Sequence, residues 1–310
     1  MSEITNETAG GASENQPGTA PVAVTGSTGA VGGRVARMLS DAGIPLRLVV
    51  RDATRAPELG DAQDGSTPTV EIAVAEYSAE EAARHALEGV ELLFMVSAAE
   101  NEDRVAEHRS FIAAAAAAGV RHVVYTSFLA AAPDSVFTLG RDHFATEQAI
   151  RDSGMGFTFL RDNLYTDFLP MLADEDGVIR GPAGDGRLAS VTRADVARSA
   201  SAVLQDTLRD PAAHRAATYD LTGPEALSLL EVAGVLSADG SRGQIEFVDE
   251  TLDEAYASRA HYGAPAWQVE AWVSTYTAIA SGELAWVSDD VERLTGRGAE
   301  SLKEFLAAGE

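Results

Sequence analysis

The stretch Thr25-Gly26-Ser27-Thr28-Gly29-Ala30-Val31-Gly32 decides the fold through what flanks it. Pro21-Val22-Ala23-Val24 before it is a short apolar run fit for a buried strand. Gly33-Arg34-Val35-Ala36-Arg37-Met38-Leu39 after it has helical spacing, and Gly43 follows where a C-cap belongs. The glycines therefore sit on a strand-to-helix turn. Side chains there would keep a pyrophosphate from the backbone N–H groups and from the positive end of the helix dipole. In this context Gly26, Ser27, Thr28, Gly29, Ala30 and Val31 read as a dinucleotide-binding loop; outside it, such glycine spacing is also an ordinary turn.

Leu46-Arg47-Leu48-Val49-Val50 reads as the neighbouring strand, and its end carries Arg51. An acidic residue at that strand end would accept hydrogen bonds from the ribose hydroxyls of NAD, whereas Arg suits the 2′-phosphate of NADP. Arg51 therefore predicts NADPH, and the adjacent Asp52 leaves NADH open.

The alternation then continues. Residues 70–74, 91–96, 122–127 and 156–160 read as strands, and 78–87, 101–118 and 141–152 as helices, with Ser78 and Glu81 forming a capping box. Such alternation predicts an α/β fold: a Rossmann-type, doubly wound parallel sheet that binds ligands at the strands' carboxyl ends. Arg51, Ser97 and Ser127 fall at such ends.

Beyond Tyr165 the pattern loosens. A Gly-rich stretch at 181–186 leads to an apolar segment at 187–191, and Thr192 with Asp195 forms a capping box before a helix through Leu204. Thr222 and Glu225 repeat the device, 245–248 reads as a late strand, and 251–309 looks mainly helical. The expected organisation is a polar, disordered leader over 1–20, a nucleotide-binding core over 21–165, and a smaller, mainly helical substrate lobe over 166–310, interleaved with the core.

Composition narrows the partners. No apolar run reaches the ~20 residues of a membrane helix, and a formal net charge of −25 would repel nucleic acid and anionic membranes. Zero cysteines remove disulfides, thiolate metal sites and cysteine nucleophiles. The histidines at 85, 108, 122, 143, 214 and 261 show no close pairing suited to a metal. These features predict a cytoplasmic protein acting on a small molecule, with the oligomeric state open.

TGSTGAVG, the VVRD at 49–52, YTSFLAA at 125–131 and GDGRLASVTRADVA at 184–197 resemble the NmrA-like branch of the atypical short-chain dehydrogenases. Within it, the chain is similar to flavin-free, NADPH-dependent quinone oxidoreductases, and also to the unconventional ketoreductases of angucyclinone-type aromatic polyketides. The resemblance spans roughly residues 21–250. It implies an NADP site built by the 26–32 loop, Arg51, the turn at Ser97, the loop at Asp162–Tyr165 (hence Asn163 and Tyr165), and Arg193.

Conventional members of that superfamily carry a Tyr-x-x-x-Lys pair about a dozen residues after a Ser at the fifth strand's end; the Tyr protonates the developing alkoxide and the Lys lowers its pKa. Here Ser127 is in place, but the pair's positions hold Leu139 and His143, and the chain's single lysine is Lys303. A simple ketone becomes an alkoxide whose conjugate acid has a pKa near 15.7, whereas a quinone becomes a phenolate-like anion near 10; the difference is about 8 kcal/mol. A site without the standard acid therefore favours quinones, or ketones whose own neighbouring phenol supplies the proton. The expected function is an NAD(P)H-dependent reductase of such small aromatic substrates, with no metal. The rival reading is a non-catalytic NADP-binding redox sensor acting through protein partners.

Each remaining candidate has a bland reading beside the functional one. Ser127 either hydrogen-bonds the substrate carbonyl or satisfies a strand end. His143 either relays protons or is a packed helix residue. Tyr125 reads as core, and Glu76 reads as a solvated acid that could approach adenine. Tyr165, Asn163 and Arg193 divide between cofactor contact and local structure, while Asp195 is most simply a cap. Phe128, Phe137 and Phe168, with Trp267, Trp272 and Trp286, either line an apolar pocket or pack the core.

Overall fold

The computed structural model describes residues 20–62, 65 and 67–309. Apart from Ala20, the leader expected over 1–20 lies outside the described residues. The chain runs through β1 (Val22–Thr25), α1 (Ala30–Asp41), β2 (Leu46–Val50), β3 (Val70–Val74), α2 (Glu80–Ala86), β4 (Leu92–Met95), α3 (Arg104–Ala118), β5 (His122–Phe128), α4 (Thr138–Asp152) and β6 (Gly156–Asp162). A 3-10 segment (Thr166–Leu172), β7 (Val178–Gly181), β8 (Arg187–Leu188), α5 (Arg193–Arg209) and β9 (Ala217–Leu221) follow. Next come β10 (Leu227–Ser228), α6 (Leu229–Asp239), β11 (Glu246–Asp249), α7 (Leu252–Arg259), α8 (Ala266–Ser281), α9 (Asp290–Thr295) and α10 (Leu302–Ala308).

The main sheet has the order β3-β2-β1-β4-β5-β6-β9 and every pairing in it is parallel. Order reverses between β1 and β4, which opens a crevice at their carboxyl ends. Strands β1, β4 and β5 are buried throughout, as strands covered on both faces must be. One face packs α1 and α5 on Val24, Leu48, Val124 and Leu160; the other packs α2, α3 and α4 on Leu93, Met95, Tyr125 and Phe159. A third core gathers Phe128, Phe137, Leu169, Ile179, Leu236 and Tyr276. No helix among the described residues is long and apolar enough to cross a membrane.

The fold departs from the sequence expectations in particular places. The late strand predicted at 245–248 exists as β11, paired in parallel with β7, a strand the sequence expectations did not include. Strand β9 was also hidden, because its members are mostly half-buried. Together, α5 and β9 carry the chain after Tyr165 back onto the main sheet.

Three capping boxes need correction. The cap of α2 is Ala79, without a side-chain bond, so Ser78 and Glu81 do not form the box. Thr192 does accept from the Asp195 N–H, but the Asp195 carboxylate turns to Arg198 and to the Glu300 N–H (2.7 Å), binding α5 to the C-terminal segment. Thr222 starts no helix; its hydroxyl accepts from the Ser288 N–H at 2.9 Å. Complete boxes stand instead at Ser228/Glu231, Thr251/Glu254 and Ser301/Glu304.

Candidate active site

The turn from β1 to α1 explains its glycines by contact. Gly26 has φ +63, and a Cβ there would come within 2.9 Å of the Val96 Cβ. A Cβ on Gly32 would come within 2.4 Å of the Gly26 carbonyl oxygen, so glycine lets the helix start close against the strand. No side chain caps α1 at Gly29, which leaves first-turn N–H groups to be met by an anion. Ser27 Oγ is buried and has no hydrogen-bond partner among the described residues. An orphaned hydroxyl, an uncapped helix start and a glycine cradle fit a dinucleotide's phosphates.

Gly26 and Ser27 line a cleft of about 250 Å³ together with Thr28, Arg51, Glu76 and Ser97. A larger cleft of about 630 Å³ lies elsewhere, between Trp286, Asp220 and Pro224. Asp220, Asp289, Asp290 and Glu292 all border it, and such a concentration of carboxylates repels phosphate. The smaller cleft is the cofactor candidate, and Trp286 lies away from it.

Arg51 stands exposed at the mouth of the cleft with no partner among the described residues. Asp52 is occupied locally, since Oδ1 accepts from both Thr54 N–H (2.9 Å) and Thr54 Oγ1 (2.7 Å). Those bonds hold its carboxyl below the usual carboxylate range. The free cation and the tied anion favour a 2′-phosphate over bare ribose hydroxyls. Arg51→Ala should therefore weaken NADPH binding about tenfold or more while leaving NADH nearly unchanged. Titration with both cofactors checks this, and equal losses would show that Arg51 does not read the phosphate.

The two catalytic candidates from the sequence are both buried and engaged. Ser127 is fully buried and donates to Glu147 Oε1 at 2.6 Å. Glu147, also fully buried, receives Arg161 through two bonds of 2.8 Å and Arg151 at 3.1 Å. Sequence reasoning missed Glu147, although its i,i+4 spacing to Arg151 was readable. Ser127 thus serves an ion-pair network between β5, β6 and α4. His143 accepts at Nε2 from Arg104 (3.1 Å), because a guanidinium only donates; its other nitrogen, Nδ1–H, then donates to Tyr125 Oη (3.0 Å). Burial first, then the charge of Arg104, holds the imidazole well below its usual range, hence neutral. This arrangement makes His143 an anchor for Arg104, not a relay poised near neutral pH.

The loop after β6 separates its candidates. Asn163 is buried and engaged with backbone through both ends of its amide: Nδ2–H donates to the Leu284 carbonyl (2.9 Å) and Oδ1 accepts from Leu164 N–H (2.8 Å). Half-buried Tyr165 donates to Asp162 Oδ2 at 2.6 Å, and the Arg193 guanidinium lies 4.9 Å from its ring centre. Arg193 is steadied by Asp167, which accepts its N–H at 2.9 Å. Tyr165 and Arg193 form one unit, with Asp162 beneath them at the carboxyl end of β6. Phe128 and Phe137 pack on each other at 4.9 Å inside the third core, whereas Phe168 is about half exposed. Trp267 and Trp272 are half-buried on α8, Trp272 edge-on to Tyr262.

Fold and site define a dinucleotide-binding protein of the Rossmann type. Residues 18–248 match the NmrA-like family, and the chain belongs to it. It is 33% identical over 290 residues to an NAD(P)H azoreductase of Xenophilus azovorans, covering 93% of this chain and 97% of that one. It is 32% identical over 292 residues to quinone oxidoreductase 2 of Escherichia coli (strain K12), covering 92% and 97%. Among solved structures, it is similar to an NADPH-dependent quinone oxidoreductase from Escherichia coli complexed with NADPH, with a TM-score of 0.79, 31% identity and coverage of 93% and 99%.

Proposed function

We propose that this chain is an NADPH-dependent oxidoreductase that reduces planar, conjugated acceptors: quinones, or aromatic polyketide ketones carrying a neighbouring phenol. The carrying observation is that a phosphate-fitting cleft lies beside a β5 terminus whose polar side chains are engaged with the protein itself. Ser127 is bonded to Glu147, His143 is bonded to Arg104 and Tyr125, and Leu139 stands where a tyrosine acid would be. Relatives named for azo and quinone reduction support the same class of acceptor.

The protein's share of the work is placement. The 26–32 loop and Ser27 would hold the pyrophosphate, Arg51 the 2′-phosphate, and the Tyr165–Arg193 unit would border the nicotinamide end. Bound NADPH supplies the hydride. The acceptor's own oxygen tolerates the developing charge or takes a proton from its adjacent phenol, so the site need only align the rings and exclude water.

Loss of NADPH absorbance with a panel of quinones and aromatic ketones tests the reductase reading. NADPH binding without turnover of any of them would favour a sensor. A matched pair of ketones, one with its phenol free and one methylated, tests the proton source. Methylation should lower kcat well beyond any change in measured binding; equal rates would mean that the protein supplies an acid.

A further inference from the structure

Beyond Met95 the chain leaves β4 and runs through Val96, Ser97, Ala98 and Ala99 along one wall of the cofactor cleft, outside any regular element. Backbone N–H and C=O groups in such a segment need partners, and here side chains provide them. Val96 N–H donates to Thr25 Oγ1 (2.9 Å) and its carbonyl accepts from Tyr77 Oη (2.6 Å). Ser97 N–H donates to Thr126 Oγ1 (2.9 Å). Ala98 N–H donates to His108 Nε2 (2.8 Å), and its carbonyl accepts from Arg104 Nε–H (2.9 Å). Three consecutive residues are thus clamped from β1, β5, α3 and the turn before α2.

The two clamps at Ala98 are built with care. His108 is fully buried, and since Nε2 accepts, Nδ1–H must donate; it does so to Thr146 Oγ1 at 2.8 Å, which in turn donates to the Asp142 carbonyl. Burial, then the charge of Arg104, pushes this imidazole down to about 3, so it remains a neutral acceptor around neutral pH. Arg104, 4% exposed, extends its remaining donors to His143 and, at 3.4 Å, to Asp142. A buried guanidinium is costly unless its donors are used. Here they bind the cleft wall to α4.

We infer that Arg104 and His108 are positioning residues for the cofactor: by clamping Ala98 they fix the Val96–Ala99 wall, and so set NADPH affinity without touching NADPH. The inference rests on the dinucleotide reading above.

The test compares His108→Leu, which loses the acceptor, with His108→Gln, whose side-chain oxygen can restore it. NADPH dissociation constants, kcat at saturating NADPH, and amide hydrogen exchange of the 96–99 segment in the cofactor-free protein are measured for each. His108→Leu should bind NADPH about tenfold more weakly, with faster exchange at Ala98, a raised KM for NADPH and little change in kcat. His108→Gln should recover most of the affinity. If the leucine variant does not fold, His108→Phe, which keeps a ring in place without the acceptor for Ala98 N–H, should show the same pattern. Unchanged affinity in a folded acceptor-deleted variant, while wild type binds NADPH normally, overturns the positioning role alone. Failure of wild type to bind NADPH overturns the proposed function and this inference with it.

Discussion

Glu147→Ala should lower the unfolding free energy by about 3–5 kcal/mol, the usual cost of deleting one partner of a buried ion pair. The reason is what the carboxylate leaves behind. Arg161 loses a two-pronged contact, Arg151 loses its i,i+4 partner, and the fully buried Ser127 hydroxyl loses its acceptor. Ser127 and Arg161 are register partners across β5 and β6, so the damage falls on the central sheet. At ~2–4 °C per kcal/mol for a large domain, the melting temperature should fall by roughly 10 °C. Glu147→Gln, which keeps an acceptor for Ser127, should lose less. Thermal melts decide it: an alanine variant within about 2 °C of wild type would mean that the network contributes little.

The second large effect concerns Asp162. Burial pushes its carboxyl up to about 7, against the hydrogen bond from Tyr165 and the charge of Arg104, which pull it down. A raised carboxyl favours the folded state while protonated, so its contribution is full below its unfolded value of about 4 and disappears as pH rises through about 7. Linkage across that window amounts to about 4 kcal/mol at most. Asp162→Asn keeps an oxygen for the Tyr165 hydroxyl and removes the titration. Melting temperatures measured from acid to mildly alkaline pH should therefore fall more steeply for wild type than for the variant, which should be the more stable above neutrality. Parallel curves would show that Asp162 titrates as an ordinary carboxyl.

Local signals carried most of the fold and several of the residues that the structure gathers around the candidate cleft. The apolar runs of β1, β4 and β5 are legible because strands buried on both faces need no alternation, and the 26–32 glycines because their flanks differ in period. The place of Arg51 on the cleft was legible because the end of β2 is a fixed position in this architecture. The rest depended on tertiary partners. Nothing near Ser127 in sequence announces Glu147 beneath it, and nothing near His143 announces Arg104, which lies 39 residues away. Half-buried β9 shows little apolar pattern of its own, since it is the outer neighbour of β6. The capping motif misled at Thr222, whose hydroxyl meets the distant Ser288 backbone instead of starting a helix.

The position of β9 in the sheet has a consequence for synthesis. Strand β6 is complete at Asp162, but its outer neighbour is complete only at Leu221. At ribosomal rates of ~5–20 residues per second, that edge stays open for roughly 3–12 s. It carries Phe157, Phe159 and Leu160, so the nascent chain presents an adhesive strand edge during that interval. A chain stopped before Ala217 would keep the open edge permanently and should be drawn into aggregates or chaperones, even though its glycine loop has already been made.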